Sequence, residues 1–369
     1  MQDAPVFPTD FKSILDRVEA VDPVRYARSR NHIDGAVTLL SPYVSRGVIS
    51  TRMVMESLFR RGYRRHQMEK LLQELAWRDF FQRVAQAEPE LCAEDLRQPQ
   101  QGVVSEGMPR AVVEARTGIT AIDDAIRGLY RSGYMHNHCR MYVAALTCNI
   151  ARSGWRLPAS WMYHHLLDAD FASNACSWQW VAGSFSGKRY LANQENINRY
   201  CHTVQAGTFL DAGYERLAGM PVPEVLSARV WPALEAVLPR TPPLALRPGL
   251  PLLVYNIYNL DPLWRAAEDA NRVLLLEPSH FRRHPVAAPV IDFCLSLAEN
   301  IPGVMVHAGE FEGLSAMSPG APVRFKEHPL FRHYRGEADP RDWMFPEAAA
   351  GRGGFFGYWK RCERFLKDL

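Results

Sequence analysis

The sequence predicts a mainly α-helical protein in which an N-terminal all-helical domain is followed by a small C-terminal α/β domain. Three observations support this fold class. Up to about residue 218, apolar side chains recur with the period of a helix, and β-branched alternation is scarce. Eight prolines then fall between residues 219 and 251. Beyond residue 251, short apolar runs alternate with helical segments, which is typical of a parallel α/β layer.

The helical domain is expected over residues 1–218. Its clearest helix is segment 66–86, where one face carries the apolar residues Met68, Leu71, Leu72, Leu75, Phe80 and Val84. Segment 119–131 has the same period, and segments 136–152 and 159–171 follow in the same style. A succession of helical periods without a strand pattern indicates an all-helical domain.

A linker or irregular wrap is expected over residues 219–251, because proline cannot continue a helix or a central strand. One short helix is expected inside it, at Ala228–Val237. The α/β domain is expected over 252–369. Its predicted strands are Leu252–Ile257, Arg272–Leu276 and Val304–His307, its predicted helices are Leu260–Ala270 and Ala287–Glu299, and a terminal helix is predicted in the tail 353–369.

The composition excludes a disordered or fibrous protein, since 47% of residues are hydrophobic and 22% are charged. Lysine and arginine number 43 against 40 acidic residues, which gives a formal net charge of +3. The net charge of the whole molecule is too small to indicate a nucleic-acid binder, so any binding site for a polyanion has to be local.

The N-terminus lacks the basic start and apolar core of a signal peptide, and no apolar run reaches membrane-spanning length. A soluble, cytoplasmic monomer is therefore expected. The seven cysteines are scattered and form no C-x-x-C pair, so we expect reduced, mostly buried thiols. His136 and His138 point apart on a helix, and no metal site is expected from them.

Polar residues interrupt the helical pattern in four clusters. The first is Thr38-Leu39-Leu40-Ser41-Pro42, which has the form of a helix N-terminus. Such an end either binds an anion, typically a phosphate, or is an ordinary helix cap.

The second cluster is Glu74, Trp77 and Arg78, which share one helical face. It is either a core tryptophan beside a surface ion pair or the wall of a polar, aromatic cavity. The third cluster places Arg140 and Met141 one turn after Asn137.

The fourth cluster spaces Asp170, Asn174 and Trp178 at i, i+4 and i+8, on one stripe of a helix. Asp168 and Asp170 are either an acid/base pair or partners of buried cations or ligand hydroxyls, because a buried carboxylate needs a partner. Arg140 is the natural candidate for that partner.

The order of these clusters resembles the flavin-binding domain of the photolyase/cryptochrome family. The matching stretches run from about Tyr26 to Tyr200 and include TLLSPYVSRG, LLQELAWRDFF, GYMHNHCRM and LLDADFASNACSWQWVAGSF. They cover nearly half of the chain. The resemblance implies a photolyase-type FAD-binding domain whose active flavin is reduced FADH⁻.

The resemblance also implies roles for individual residues toward FAD. The positions that hold the diphosphate are Tyr26, Thr38, Leu39, Leu40 and Ser41. Other residues are implied to surround the isoalloxazine ring. The ion pair Arg140–Asp168 would stack on the ring, and Asp170 would lie beside the ring and the ribityl chain. Asn174 would face N5, and Asn137 would also contact the cofactor. The electron relay would use Trp178 and Trp155. Residues 93–117 contain no third tryptophan, so the relay is either shortened or leaves through another aromatic such as Tyr130 or Tyr134.

On the DNA side, the implied residues around a flipped pyrimidine dimer are Glu74, Trp77, Arg78, Asn137, Met141 and Trp180. Photolyases are among the enzymes known to extrude their target base. Asn137 follows His136 as in enzymes for cyclobutane dimers, which favours these over (6-4) products. The implied activity is that of a deoxyribodipyrimidine photolyase, a carbon–carbon lyase. The alternatives are a cryptochrome-like blue-light sensor without repair, and a helical nucleic-acid binder without cofactor.

Three departures from the family pattern refine the expectation. No antenna domain precedes the flavin domain, so an antenna chromophore is not expected. The segment after Trp180 resembles the iron–sulfur branch, yet the cysteines that would follow Cys201 are missing, and no cluster is expected. The α/β segment comes last, as in a compact bacterial subgroup in which it covers the flavin and single-stranded DNA is preferred.

Overall fold

The computed structural model of the chain describes residues 5–87, 94–348 and 354–366. In these ranges the α-helices, numbered in chain order, are α1 Phe11–Glu19, α2 Pro23–Ser29, α3 Ser41–Ser45, α4 Thr51–Arg60, α5 Arg65–Ala87, α6 Arg110–Val113, α7 Thr120–Ser132, α8 Asn137–Ala145, α9 Arg156–His165, α10 Phe171–Ala182, α11 Gln194–Cys201, α12 Tyr214–Gly219, α13 Pro278–Arg283, α14 Ala288–Ala298, α15 Phe311–Ala316 and α16 Phe355–Phe365. The strands are β1 Met108–Pro109, β2 Arg229–Val230, β3 Leu252–Tyr255, β4 Asn271–Leu276, β5 Val304–Ala308, β6 Val323–Lys326 and β7 Glu337–Asp339. No helix within the described ranges combines the length and apolar content needed to cross a bilayer.

The described residues form two compact units. The first unit takes in 1–6, 22–37 and 88–233, and the second takes in 7–21, 38–87 and 234–369. Residues 38–87, which the sequence placed in the helical domain, thus pack in one unit with the C-terminal α/β residues. The boundaries expected at 218 and 251 are not those between the two units, and the sequential division stays a prediction.

Helix α5 confirms the long helix predicted at 66–86. The apolar face is largely buried, with Met68, Leu71, Leu72 and Phe80 inaccessible and Leu75 and Val84 partly exposed. Helix α7 confirms segment 119–131 and ends at Gly133, whose φ of +64° is the left-handed cap that glycine adopts without strain. Helix α8 continues into a π-helical turn at Leu146–Ile150, which accounts for the apolar period over 136–152.

Helix α9 ends at His165, six residues before the predicted end at 171. The reason lies in Asp170, whose extended backbone and carboxylate begin the next helix. Its Oδ1 accepts a hydrogen bond from the Ser173 backbone N–H at 2.7 Å. An aspartate at this position satisfies one of the free N–H groups of helix α10, so the chain breaks between the two helices.

The C-terminal part of the second unit is built on a parallel sheet with the strand order β5-β4-β3-β6-β7. Strands β3, β4 and β5 confirm the three predicted strands, and β3 and β4 are fully buried. The register pairs Val254 with Val273 and with Phe325. Buried apolar strands flanked by helices are the expected form of a parallel layer. The predicted helix at Ala287–Glu299 and the tail helix are present as α14 and α16.

The helix predicted at Leu260–Ala270 is wrong, because residues 261–268 form successive turns. The Arg272 guanidinium takes up carbonyl oxygens that a helix would use, those of Arg265, Ala266 and Glu268, at 2.7–3.2 Å. Arg265 itself has a left-handed φ of +48° and pairs with Asp339. Side-chain contacts of Arg272 with nearby carbonyl oxygens, and of Arg265 with the distant Asp339, therefore override the local helical period.

The short helix predicted at Ala228–Val237 is also wrong. Arg229 and Val230 form β2, which pairs antiparallel with β1, and the Arg229 side chain donates to the Ser153 hydroxyl at 2.7 Å. The rest of the proline-rich stretch lacks regular structure apart from a 3₁₀ turn at Glu224–Leu226, as expected for a linker or wrap. Strands β6 and β7 were not predicted, because they are short and rich in charged residues.

Candidate functional site

The residues singled out in the sequence fall in both units. The first unit holds Tyr26, Asn137, Arg140, Met141, Trp155, Asp168, Asp170, Asn174, Trp178 and Trp180. The second unit holds Thr38, Leu39, Leu40, Ser41, Glu74, Trp77 and Arg78.

Arg140 and Asp168 form an ion pair in the first unit, as the sequence predicted. Nη2 of Arg140 lies 2.9 Å from Oδ2 and 3.1 Å from Oδ1 of Asp168. The Asp168 side chain is 6% exposed and that of Arg140 22%. Nε of Arg140 donates to the Met135 carbonyl at 2.8 Å, which fixes the orientation of the guanidinium. The pair joins helix α8 to the turn before α10.

Helix α10 presents three polar side chains in its first turns. Asp170 is buried and caps the helix through Ser173 N–H. The Asn174 amide donates to the Ala159 carbonyl at 2.8 Å, which ties α10 to α9. Within the described chain, the buried hydroxyl of Ser173 has no hydrogen-bond partner. A buried polar atom without a partner costs free energy unless a ligand or water supplies one.

The predicted relay tryptophans are both buried in the first unit. Trp178 is 2% exposed on α10, and Trp155 is 3% exposed at the start of α9. The Trp155 indole N–H donates to Asp95 Oδ1 at 2.6 Å. Trp180 differs from both, since it is 36% exposed and has its ring 5.9 Å from that of Tyr190. Its exposure leaves the ring available for stacking on a ligand.

Asn137 begins helix α8 with an exposed side chain, and Met141, one turn later, is partly exposed. Desolvation lowers the pKa of His136 and of His138 to about 4, so both rings are neutral at pH 7. The His136 ring accepts the His138 backbone N–H at 3.2 Å and caps the helix. Tyr26 lies on α2, partly exposed, with the Arg30 guanidinium 6.0 Å from its ring centre.

The predicted diphosphate segment lies in the second unit and begins a helix, as the sequence indicated. Helix α3 starts at Ser41 and has five residues. The Thr38 hydroxyl accepts the Leu40 N–H at 3.3 Å, and Leu39 has a left-handed φ of +53°. The Leu39 carbonyl accepts a hydrogen bond from Arg17 at 3.5 Å. Cap geometry and anion binding both fit this segment, so the assignment to a diphosphate stays a prediction.

Trp77 lies in an aromatic cluster of the second unit. The ring of Phe355, on the C-terminal helix α16, stacks on Trp77 at 3.7 Å with an interplanar angle of 9°. Phe80 and Phe81 lie 5.9 Å and 5.3 Å from the same indole. One face of Trp77 is therefore occupied by the protein itself. Glu74 and Arg78, one turn and one residue away from Trp77, are both partly exposed.

Sequence reasoning missed two groups beside these residues. Phe355 was placed in a terminal helix without a role, because its contact with Trp77 spans most of the chain. Asp79 is 5% exposed and accepts hydrogen bonds from the Thr51 hydroxyl at 3.0 Å and the Met344 N–H at 3.0 Å. Burial raises its pKa to about 6. The sequence did contain a signal for Asp79: its carboxylate directly follows Arg78 and directly precedes Phe80 and Phe81.

The second unit also contains a cavity of about 430 Å³. It is lined by Arg52, Met55, Glu56, Phe59, Met344, Phe345, Pro346, Glu347 and Phe365. None of the residues singled out in the sequence lines it.

One segment of the chain matches a known protein domain. Residues 71–215 match the FAD binding domain of DNA photolyase. The match covers less than half of the chain, and it shows that this segment is similar to the flavin-binding domain of photolyases.

Curated relatives carry the same family name. The chain is 34% identical over 163 residues to a deoxyribodipyrimidine photo-lyase of Thermus thermophilus, covering 43% of this chain and 38% of the relative. It is 33% identical over 156 residues to the enzyme of that name from Agrobacterium fabrum, covering 40% and 32%. It is 26% identical over 250 residues to that of Vibrio cholerae, covering 64% and 53%. The chain thus spans about a third to a half of the length of these relatives.

Two solved structures are similar to parts of the chain. A cryptochrome of Synechocystis aligns with 25% identity and a TM-score of 0.47, covering 53% of this chain and 44% of that chain. A class III photolyase from Agrobacterium tumefaciens aligns with 24% identity and a TM-score of 0.40, covering 52% and 44%. Both TM-scores lie below 0.5.

Proposed function

We propose that the chain is a light-driven, FAD-dependent photolyase that repairs cyclobutane pyrimidine dimers in DNA. The observation that carries the proposal is the ion pair of Arg140 with the buried carboxylate of Asp168, inside the segment that matches a photolyase FAD binding domain. A buried ion pair adds little stability by itself, so its presence among apolar helices favours a role in ligand binding. The names of the matched relatives support the reaction.

The residues on α10 and before it fit FAD as a ligand. The hydroxyl of Ser173 is buried and lacks a partner in the part of the chain that the structure describes. Asp168 and Asp170 offer acceptors for ribityl hydroxyls or ring N–H groups, and Asn174 offers an amide toward N5. Arg140, held by Asp168, would stack on the isoalloxazine. When bound and reduced, FAD supplies the light-activated electron that opens the cyclobutane ring and then returns.

The protein's contribution toward DNA is to hold and polarise the lesion. Glu74 would hydrogen-bond a pyrimidine edge and hold the dimer in position, with Trp77 stacking on it and Arg78 close by. From the first unit, Trp180 would stack, while Asn137 and Met141 contact the bases. A net charge of +3 fits a small phosphate footprint, which favours single-stranded DNA.

Trp178 and Trp155 would deliver electrons that keep the cofactor reduced, and would take no part in ring opening itself. Both indoles are buried, and the Trp155 N–H is held by Asp95. Buried rings in a low-dielectric surrounding reorganise little during electron transfer, which suits a relay.

A second candidate function is a blue-light sensor without repair. The stack of Phe355 on Trp77 favours it, because a protein ring covers the indole face on which a lesion would stack. In a repair enzyme this contact has to open when DNA binds.

The test is the light-dependent loss of dimers from UV-irradiated oligothymidylate mixed with reduced, FAD-loaded protein. Repair should require light and should fall about 10-fold or more in Glu74→Gln, because the carboxylate that accepts a hydrogen bond from the dimer and positions it is removed. Glu56→Gln, an exposed glutamate on α4, is the matched control and should repair as the wild type does. Flavin reduction in light without dimer loss would instead support the sensor.

A further inference from the structure

Three potential metal ligands meet in the first unit, outside the residues assigned to flavin or DNA. One donor atom each from His32, Asp34 and His202 lies within 4.8 Å of the other two. Nε2 of His202 is 2.8 Å from Oδ1 of Asp34. The imidazole rings of His32 and His202 are nearly parallel, with centres 5.2 Å apart and an angle of 17°. Two imidazoles and a carboxylate therefore converge at one point of the surface.

The backbone around this cluster is held by local bonds. Residues 29–36 form a tight turn, closed by hydrogen bonds from His32 N–H to the Ser29 carbonyl and from Gly35 N–H to the His32 carbonyl. A Cβ on Gly35 would come within 1.9 Å of the Ser29 oxygen, so the turn requires glycine. The Ile33 N–H donates to the Tyr200 carbonyl at 2.9 Å and joins the turn to the end of α11.

His202 is presented by an uncommon backbone conformation. It follows the last residue of α11 with φ +54° and ψ +38°, in the left-handed region. A non-glycine residue rarely adopts this region, and histidine is among the residues that do. The turn and the helix end together hold the three side chains side by side before any ion binds.

The donor chemistry points to a metal ion. We propose that His32, Asp34 and His202 form a binding site for a divalent transition-metal ion of the zinc type. Imidazole nitrogen and carboxylate oxygen are the ligands that zinc takes in sites with three protein ligands and an open position. Nδ1 of His32 is buried without a hydrogen-bond partner in the described chain, and a bound cation would offset that cost.

Metal binding requires a small adjustment of the donor atoms, which lie within 4.8 Å of one another and are 2.8 Å apart for His202 and Asp34. In a tetrahedral zinc site with bonds of about 2.0 Å, neighbouring donors lie about 3.3 Å apart. The His202 and Asp34 side chains are 51% and 52% exposed, so they can rotate toward the ion without disturbing a packed core. Without a metal, the contact between His202 and Asp34 is an exposed hydrogen bond, which does not explain why His32 lies beside it with its ring nearly parallel to that of His202.

The sequence alone did not indicate this site, because His202 is far from the other two ligands along the chain and no short motif links them. The site would join the turn after α2 to the end of α11. The proposal is independent of flavin binding and of DNA repair.

The experiment is a titration of the untagged, full-length chain with Zn²⁺, followed by calorimetry and by competition with a chromogenic chelator. We expect one ion per chain. His202→Ala and Asp34→Asn should each weaken binding by about 10-fold or more, since each removes a ligand. Circular dichroism confirms that the variants fold, and both changes are at half-exposed side chains.

Two control variants separate this site from others. His66→Ala removes an exposed histidine on α5, and Cys201→Ser removes the partly exposed thiol beside His202. Both should bind Zn²⁺ like the wild type. The proposal is overturned if the wild type shows no saturable binding, if His202→Ala and Asp34→Asn both bind as it does, or if Cys201→Ser loses the ion.

Discussion

The two groups of predicted site residues behave differently. In the first unit, residues chosen from the sequence contact one another: Arg140 pairs with Asp168, and Asp170 begins the helix that carries Asn174. In the second unit, Trp77 contacts Phe355, a residue of the terminal helix that the sequence left without a role. Motif spacing thus predicts contacts inside a matched domain. It does not predict contacts with a segment that comes much later in the chain, such as helix α16.

The difference has a physical origin. Helical spacing fixes which side chains share a face, and a buried carboxylate restricts its partner to a nearby cation. An aromatic face accepts any flat apolar partner, so nothing in Trp77 itself indicates Phe355. Specific electrostatic partners can be predicted from few residues, whereas apolar partners cannot.

The largest expected effect comes from removing the aromatic contact. Phe355 is 4% exposed, and Phe355→Ala should lower the free energy of unfolding by about 4 kcal/mol, through lost burial and a cavity. The same change uncovers Trp77, so binding of UV-damaged oligothymidylate should become tighter. Urea unfolding and fluorescence anisotropy measure the two effects.

The neighbouring residue gives the control. Phe356 is 72% exposed on the same helix, and Phe356→Ala should leave stability and binding within error of the wild type. Unchanged or weaker DNA binding by Phe355→Ala would mean that the stack does not compete with a lesion.

A smaller effect is expected for the ion pair of the first unit. Asp168→Asn leaves Arg140 without its carboxylate and should cost about 3 kcal/mol. It should also reduce the flavin retained per chain, measured by absorbance after gel filtration. Asp124→Asn breaks the exposed pair of Asp124 and Arg127 and should cost less than about 0.5 kcal/mol. Full flavin content in Asp168→Asn would remove the main support for the flavin site.

The smallest of the three effects concerns Asp79 and depends on pH. Burial raises its pKa from 3.8 to about 6, so between these values the folded protein binds more protons than the unfolded chain. The free energy of unfolding should therefore fall as the pH rises, by about 2 kcal/mol between about pH 4 and pH 7. Asp79→Asn should lack this component in urea unfolding, while Asp124→Asn should keep it. Parallel pH profiles of wild type and Asp79→Asn would contradict the raised pKa.

Much of the fold could be predicted from the sequence, because it depends on the spacing at which apolar side chains recur. The long helix α5, helix α7 and strands β3–β5 follow directly from apolar spacing. The helix expected at 260–270 does not form, because the Arg272 side chain takes up carbonyl oxygens of this segment and Arg265 pairs with the distant Asp339. Strands β6 and β7 are short, largely accessible and rich in charged residues, so apolar spacing does not reveal them.

The same distinction applies to the candidate site residues, some of which could be predicted from the sequence while others could not. Asp168 and Arg140 were found because burying a charge restricts its surroundings. The cluster of His32, Asp34 and His202 was missed, since the fold alone brings its members together. Asp79 was missed because its burial depends on Thr51 and on the backbone of Met344, neither of which is close to it in the chain.

Light-driven dimer repair is tested most directly by counting the dimers in irradiated single-stranded oligothymidylate. The oligonucleotide is mixed with the reduced, FAD-loaded protein, and the dimers that remain are counted after exposure to light and after the same time in the dark. We predict loss in light alone, faster on the single strand than on the same sequence in a duplex, and faster again with Phe355→Ala. Equal numbers of dimers in light and dark, for both the wild type and Phe355→Ala, would contradict the account.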